Sequence, residues 1–457
     1  MVHFFKPKPK EVSTKHFSLN ITDIDMKGRG VARLNNVTWF VQGALPGEEV
    51  VVRTIDLKKD IGNAELISVK KRSDDRVKPL CENYDKCGGC SLQHVSIEKE
   101  LEAKVNGIKR AFKKLLKIDI FEPDETVVMD ESGYRRVCRL SIQADRKEYH
   151  LGFREEFGKK IVEVNSCLVL IPFLSDLIEP LRKLYGKFSN FKLIGHIELV
   201  KANPKPVILF RVIAELPSQD LELIKNFANE HSVIAYVLTH YKRGKEELED
   251  HDEIKVLNEE LLEGNPKPYY EIDGLKIYFL PNDFVQINEE MNKRLVHKAL
   301  SYLDLNNNDE VLDLYCGVGN FSLPMAKIAK HVYAVEGVWD MVKAGELNAK
   351  LNSLDNLQFC VHNLDEDFEK TIWAKSNITK LLLDPGREGA FKVVNFIAKR
   401  KIKDLVYVSC NPLTMVRDLD VLLKSGYEIK KWSVFDMFPR TSHVETVILL
   451  SKEKQNG

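Results

Sequence analysis

The feature that most constrains this chain is the alternation that begins near residue 292. Apolar, β-branched runs (DEVLDLYC, HVYAVEG, LQFCVHN, TKLLLDPG and DLVYVSCNP) are each followed by a stretch with helical patterning. Strands that alternate with helices must be joined by crossovers, so the segment predicts a largely parallel sheet with helices on both faces. A helix over 292–303 leads into it, and two last strands, around 429–435 and 444–450, complete it. In a sheet of this kind ligands collect outside the carboxyl ends of the strands. The residues at those ends are therefore where chemistry is expected.

The remainder of the chain divides by grammar. With 457 residues it is long enough for two or three domains. Residues 1–12 read as a basic tail. Residues 13–72 carry short β-branched runs (FSLNITDI, GVARL, TWFVQG, EEVVVRTI, AELISV) separated by Gly28, Gly30, Gly43, Pro46 and Gly47, which predicts a small barrel of about five strands. Residues 73–290 mix helices and strands and predict an α+β domain, with a helix near 97–116 that places Leu101, Val105, Ile108, Phe112 and Leu115 on one face. Residues 291–453 form the alternating α/β domain.

No run of eighteen apolar residues occurs, and the N-terminus lacks the apolar core of a signal peptide. A cytoplasmic protein without a membrane partner is expected. The formal net charge is zero, but residues 1–80 carry 15 lysines and arginines against 10 acidic residues. Lys104, Lys109, Arg110, Lys113, Lys114 and Lys117 follow in the helix, then Arg135, Arg136 and Arg139. A local basic face of this kind suits a polyanion.

Four local patterns carry chemistry. First, the strand ending at Tyr315 runs into Cys316-Gly317-Val318-Gly319-Asn320, a glycine turn that exposes backbone amides beside a ligand. The next strand ends in Glu336, a carboxylate able to bind ribose hydroxyls, and the third is closed by Asn363. The run lacks the third glycine of the dinucleotide fingerprint. Second, the fourth strand ends in Asp384-Pro385-Gly386-Arg387 and the fifth in Cys410-Asn411-Pro412, while His443-Val444-Glu445 enters the last strand. Alkylating carbon 5 of a pyrimidine requires a thiolate at carbon 6, a base for the carbon 5 proton and a donor for the developing charge. Cys410 beside a helix N-terminus, favouring thiolate, is the candidate nucleophile, and Glu445 the candidate base. Third, Phe284-Val285-Gln286-Ile287-Asn288 reads as a strand with Phe284, Gln286 and Asn288 on one face. Fourth, Cys81, Cys87 and Cys90 supply three soft ligands within ten residues. Cys167 is the natural remote fourth, because Cys138 sits in an arginine-rich run. Four thiolates suit either zinc or an iron–sulfur cluster, and three clustered ligands with one distant favour the latter.

Together CENYDKCGGCSLQH, FVQINEEMN, DLYCGVGNF, LLLDPGREG, YVSCNPLTMVRDL and HVETV resemble the RNA uracil-5-methyltransferase family over nearly the whole chain. The resemblance implies an N-terminal OB-like TRAM β-barrel, a central α+β domain and a C-terminal class I (Rossmann-like) domain that uses S-adenosyl-L-methionine. It implies Cys410 as nucleophile and Glu445 as general base. Gln286, Tyr315, Asn320, Glu336, Asn363 and Asp384 would line the cofactor site, and Cys81, Cys87, Cys90 and Cys167 would hold a [4Fe-4S] cluster. The implied substrate is 23S ribosomal RNA at its uridine 1939, presented in a single-stranded or distorted loop with the uridine flipped out. A monomer without an obligate protein partner is expected. Two competing readings are a sister enzyme acting on another ribosomal uridine or on position 54 of transfer RNA, and a non-catalytic RNA-binding assembly factor. The sequence departs from the family in reading DPGR where DPPR or DPAR is usual, and in placing Cys138 where a small residue is expected.

Overall fold

The computed structural model describes residues 15–144, 148–156, 158–241, 251–400 and 402–452. The expected basic tail, 1–12, lies outside the described residues. The chain forms two compact units. The first comprises the residues up to Tyr84, Cys90–Arg110 and Arg440–Ser442, and the second comprises Asp85–Gly89, Ala111–Pro439 and the residues from His443 onward.

The first unit is built on six strands rather than five: β1 (His16–Asn20), β2 (Asp23–Ile24), β3 (Arg29–Leu34), β4 (Val37–Gln42), β5 (Glu49–Lys58) and β6 (Ile61–Lys71), in the order β1-β5-β6-β4-β3-β2. The additional strand is β2, two residues long and too short to carry an alternation legible in sequence. Ala32, Val41, Val50 and Val52 form its fully buried core, with Trp39 against them. Gly62 permits this packing, since a Cβ there would lie 2.5 Å from the Trp39 ring. Helix α1 spans Ile97–Leu116, as the periodicity predicts, but its buried stripe differs from the expected one. Glu100 and Lys104 are buried and paired at 2.7 Å, whereas Leu115 is 48% exposed. Ion pairing satisfies both charged groups and lets them occupy apolar surroundings. Lys104 therefore does not belong to the basic face.

The second unit contains two large sheets that share one continuous core, and a two-stranded ribbon of Tyr269–Ile272 with Leu275–Tyr278. β7 (Val137–Ala144), β8 (Tyr149–Arg154), β9 (Ile161–Glu163), β10 (Ile194–Val200), β11 (Val207–Val212), β12 (Ile234–Tyr241) and β13 (His251–Val256) form a seven-stranded sheet ordered β9-β8-β7-β10-β11-β12-β13. Helices at Ile178–Tyr185 and Ser218–Glu230 bury apolar faces in its core. This is the expected α+β architecture. The alternating region forms an eight-stranded sheet, with parallel strands Glu310–Leu314, His331–Glu336, Leu357–Val361, Lys380–Leu383 and Asp404–Ser409. The strand Asp404–Ser409 is buried at every position, as a central parallel strand covered on both faces must be. The strand Glu445–Lys452 inserts antiparallel between Asp404–Ser409 and Tyr427–Phe435. The far edge is closed by Glu125–Val127, which pairs with Tyr427–Phe435 from far upstream in sequence. Three residues without an alternating pattern could not announce that pairing.

The stretch 284–287 is not a regular strand. Phe284 is 66% exposed, while Asn288 is buried and caps the helix Glu289–Leu303 by accepting the Met291 N–H at 3.1 Å. The cap turns the chain and breaks the alternation that would have placed Phe284, Gln286 and Asn288 on one face. Among the described residues no helix is long and apolar enough to cross a membrane.

Candidate active site

Strand register brings the proposed chemistry together. In the antiparallel pair of Asp404–Ser409 with Glu445–Lys452, Ser409 lies opposite Thr446. Cys410 follows Ser409 and Glu445 precedes Thr446, so register alone sets thiol-bearing and carboxyl-bearing residues across from one another. On the other side Leu383 lies opposite Tyr407 in a parallel pair, which places Asp384, one residue later, at the same sheet edge. Three acidic groups from three adjacent strands thus converge on a single mouth.

Convergence changes their proton affinities. Burial, then the charges of Glu445 and Asp384, push the Cys410 thiol up to about 11, and Arg387 partly offsets this. The helix N-terminus behind Cys410 does not prevail, contrary to the expectation of a favoured thiolate. Desolvation together with two nearby carboxylates outweighs a terminal dipole. Burial, reinforced by Asp384, lifts Glu445 well above the ordinary carboxylate range, again opposed by Arg387. Burial raises Asp384 to about 7. All three groups hold their protons more tightly than in water, and Arg387 is the cation that draws Cys410 and Glu445 the other way.

The glycine turn has the form expected of a ligand cradle. Tyr315 adopts φ +67°, Gly317 +55° and Gly319 +103°. A left-handed tyrosine is uncommon and marks a position whose conformation its surroundings impose. The Tyr315 and Cys316 amides both donate to the Val335 carbonyl, at 3.0 and 3.2 Å, locking the turn to the neighbouring strand. A Cβ at Gly317 would meet nothing within 4 Å, so that face is open, whereas one at Gly319 would strike Leu323 at 2.1 Å. Glu336 accepts the Gly317 amide at 3.1 Å through one oxygen and the Gly337 and Val338 amides, at 2.7 and 3.0 Å, through the other. The carboxylate thereby ties the second strand to the glycine turn. Asn363 lies just past the third strand and caps its own loop, accepting from the Asp365 amide at 3.0 Å. These residues and Asp384 all sit at carboxyl ends of parallel strands. The open face at Gly317, beside a carboxylate at the end of the next strand, suits an adenosyl cofactor.

The Asn320 side chain and the Gln286 backbone carbonyl both have hydrogen-bond partners within the protein. The Asn320 side chain exchanges two hydrogen bonds with Asn292, at 2.8 and 3.0 Å, and accepts one from the Tyr270 hydroxyl at 3.0 Å. Gln286 offers its carbonyl to Nε of Arg136 at 2.7 Å. The Arg136 guanidinium lies 4.6 Å from the Tyr270 ring centre and is only 1% exposed. Arg136 thus supports the site from within and is not part of a basic surface. Arg139, 56% exposed at its side chain, is paired with Glu198 at 2.9 Å.

Cys81 and Cys90 belong to the first compact unit, and Cys87 and Cys167 to the second. The Cys81 amide donates to Gln93 at 3.0 Å, and the Cys167 amide to the Ser175 hydroxyl at 2.8 Å. All four are half-buried. Among the described residues no three His, Cys, Asp or Glu side chains gather into a metal-holding group. Cys138 is buried, and desolvation pushes its thiol up to about 12, which fits an inert filler.

The sequence reading passed over Asp313. It is buried, accepts from the Ser322 hydroxyl at 2.5 Å and is raised to about 8 by desolvation. Its place inside a strand of otherwise apolar residues, EVLDL, was the available signal. It also passed over Asp418, which lies inside a helix and which only tertiary contacts reveal.

The profile of the tRNA (Uracil-5-)-methyltransferase family matches residues 271–453, and that of the TRAM domain matches residues 15–67. The 23S rRNA (uracil(1939)-C(5))-methyltransferase RlmD of Aliivibrio fischeri (strain MJ11) is 40% identical over 455 residues, covering 99% of this chain and 100% of its own. The protein of the same name from Photobacterium profundum is 39% identical over 471 residues, covering 99% and 98%. The crystal structure of Pyrococcus abyssi tRNA (uracil-54, C5)-methyltransferase in complex with S-adenosyl-L-homocysteine has the same fold, with a TM-score of 0.71 at 24% identity over 95% of this chain and 100% of that one. With relatives this similar along its full length, the chain belongs to the RNA uracil-5-methyltransferase family, with a TRAM domain at its N-terminal end and a Rossmann-like methyltransferase domain at its C-terminal end.

Proposed function

We propose that this protein methylates carbon 5 of uridine 1939 in 23S ribosomal RNA through a covalent adduct at Cys410. The observation that carries the reading is the register that brings Cys410, Glu445 and Asp384 to one sheet edge beside the glycine cradle. The choice of RNA rests on the relatives of that name at about 40% identity.

S-adenosyl-L-methionine supplies an electrophilic methyl group when bound. Gln286, Tyr315, Asn320, Glu336, Asn363 and Asp384 position it, with Asn320 acting through Asn292 and Tyr270. The Cys410 sulfur bonds to carbon 6 of the uracil, and the electron pair of the 5,6 double bond moves toward the carbonyl at carbon 4. Carbon 5 becomes nucleophilic and takes the methyl group, whose bond to the donor sulfur breaks with the electron pair left on the departing thioether. Glu445, ionised, removes the carbon 5 proton, the double bond reforms, and the thiolate leaves. The TRAM domain and the exposed basic side chains hold the RNA by its phosphates, and the uridine leaves its stack to reach Cys410.

The raised acid groups give a pH dependence of definite sign. Both the thiol and Glu445 act after losing a proton, and each is harder to ionise here than in water. The single-turnover rate is therefore expected to climb as pH rises from neutral toward the Cys410 value of about 11. A rate that is flat or falling from neutral to mildly alkaline pH would contradict this. The reading as a whole is tested by incubating the protein with the methyl donor and unmodified 23S rRNA and mapping the methylated nucleosides. Label at uridine 1939 supports it. Label at another uridine keeps the chemistry and replaces the substrate, and no 5-methyluridine in any RNA rejects the chemistry.

Cys81, Cys87, Cys90 and Cys167 are the proposed ligands of a [4Fe-4S] cluster serving folding and RNA binding. Support comes from their thiol chemistry and their spacing of three close and one distant. Protein purified without oxygen is expected to be brown with about four irons per chain. Colourless protein carrying one zinc would replace the assignment.

A further inference from the structure

The loop after Asp384 is held by the helix that starts behind Cys410. Asn411 Nδ2 and the Thr414 hydroxyl both donate to the carbonyl of Arg387, at 2.8 and 3.0 Å. One turn on, Arg417 donates to the Glu388 carbonyl at 2.8 Å. Asp418, fully buried, accepts the Ala390 amide at 2.6 Å and the Tyr407 hydroxyl at 2.8 Å, and pairs with Arg417 at 2.8 Å. The loop crosses this surface at Gly389, with φ +77°, where a Cβ would lie 2.6 Å from Asp418 and 2.7 Å from Arg417. Three consecutive peptide units of one loop are therefore fastened to four residues on the first two turns of the helix Pro412–Lys424 and its cap.

This fastening has a consequence for charge. Arg387 is exposed, and the loop reads Pro-Gly-Arg where the usual second proline would itself stiffen the backbone. Nothing within 4 Å of a Cβ at Gly386 would confine that position. Left to itself, an arginine on such a loop would spread over many positions. Yet it is the cation that opposes proton retention by both Cys410 and Glu445, against Asp384 acting on both and Glu445 acting on Cys410.

We propose that Asn411, Thr414, Arg417 and Asp418 form a positioning cradle that fixes the Arg387 loop at the sheet edge bearing Cys410 and Glu445, so that the helix flanking the nucleophile also sets where the loop's cation stands. None of the four needs to touch substrate. Thr414 is the residue through which this is separable from folding, because Thr414→Val keeps its shape and removes one of the two donors to the Arg387 carbonyl.

The inference rests on the proposed methyl transfer only for its kinetic arm. Alkylation of Cys410 by iodoacetamide, followed by mass mapping of its peptide, reports thiolate without RNA or methyl donor. At a fixed pH below the thiol value, Thr414→Val is expected to slow labelling about three-fold, half a pH unit of thiolate. Thr414→Ser, which restores the donor, is expected to return the wild-type rate. In an Arg387→Met background Thr414→Val is expected to have no further effect, since the charge it positions is gone. In single-turnover methylation the same Thr414→Val change moves the rising limb to higher pH without altering the KM for S-adenosyl-L-methionine. Wild-type labelling in Thr414→Val, or full additivity with Arg387→Met, overturns the cradle. Wild-type protein that labels as expected but makes no 5-methyluridine overturns the proposed function and leaves the cradle standing.

Discussion

Replacing Cys410 with alanine is expected to lower methylation by at least about four orders of magnitude while leaving RNA affinity within about two-fold. Carbon 5 of uracil is too weak a nucleophile to take a methyl group unless sulfur first adds at carbon 6, and no other described cysteine ends a strand beside Glu445 and Asp384. Cys316 follows the first parallel strand, but it is buried and its thiol is raised well above its ordinary value. Cys360 lies inside the third parallel strand, half-buried, with its thiol also raised by burial. RNA affinity should survive because it resides in phosphate and stacking contacts spread over many groups. Filter binding with a ribosomal RNA fragment, run beside a methyl-transfer assay, checks both halves. Residual turnover within about ten-fold of wild type would remove Cys410 from the covalent role.

Glu445→Gln is expected to lower turnover by about 10²–10⁴-fold and, unlike the cysteine change, to accumulate a protein–RNA adduct. The two substitutions differ because they block opposite ends of the sequence. Without the thiol nothing forms, and without the base the methylated ring cannot lose its carbon 5 proton, so the carbon–sulfur bond persists. Glutamine is the informative replacement because it keeps the volume of a fully enclosed side chain and removes the ionisable group. Denaturing gel electrophoresis reads the outcome directly as a slower band that requires both RNA and S-adenosyl-L-methionine. A variant that is slow yet shows no such band would transfer the base role elsewhere, with Asp384 the next candidate.

The sequence was most legible where one period ran without interruption. The parallel strands of the methyltransferase sheet lie within a residue or two of their expected places, because buried parallel strands are written as continuous apolar runs. Cys410, Glu445 and Asp384 were readable because each ends or begins such a run, and a strand tip is a position the topology itself marks. Features set by long-range pairing were not readable. Glu125–Val127 joins the sheet from more than three hundred residues away in sequence, opposite Ser433–Phe435, and three residues carry no period. The FVQIN segment alternates like a strand, but Asn288 caps a helix instead, and an asparagine in a strand and one at a cap look alike until the helix is seen. Lys104 and Arg136 counted toward a basic surface and proved to be interior. A side chain's charge does not say whether Glu100 or the face of Tyr270 waits beneath it. The protonation of the site was hidden for a related reason. The dipole behind Cys410 is visible in sequence, whereas the desolvation that outweighs it depends on how three strands close over the thiol.

In the proposed reaction, catalysis runs through a bond between Cys410 and carbon 6 of the target uridine. The measurement that reaches it most directly uses an RNA fragment carrying 5-fluorouridine at the target position, incubated with the full-length protein and S-adenosyl-L-methionine. Fluorine at carbon 5 cannot leave as a proton does, so the methylated intermediate is held on the enzyme. A complex that survives denaturation is expected, with the methylated fluorouridine mass on the peptide containing Cys410. A complex joined through any other residue, or methyl transfer with no covalent complex at all, would contradict it.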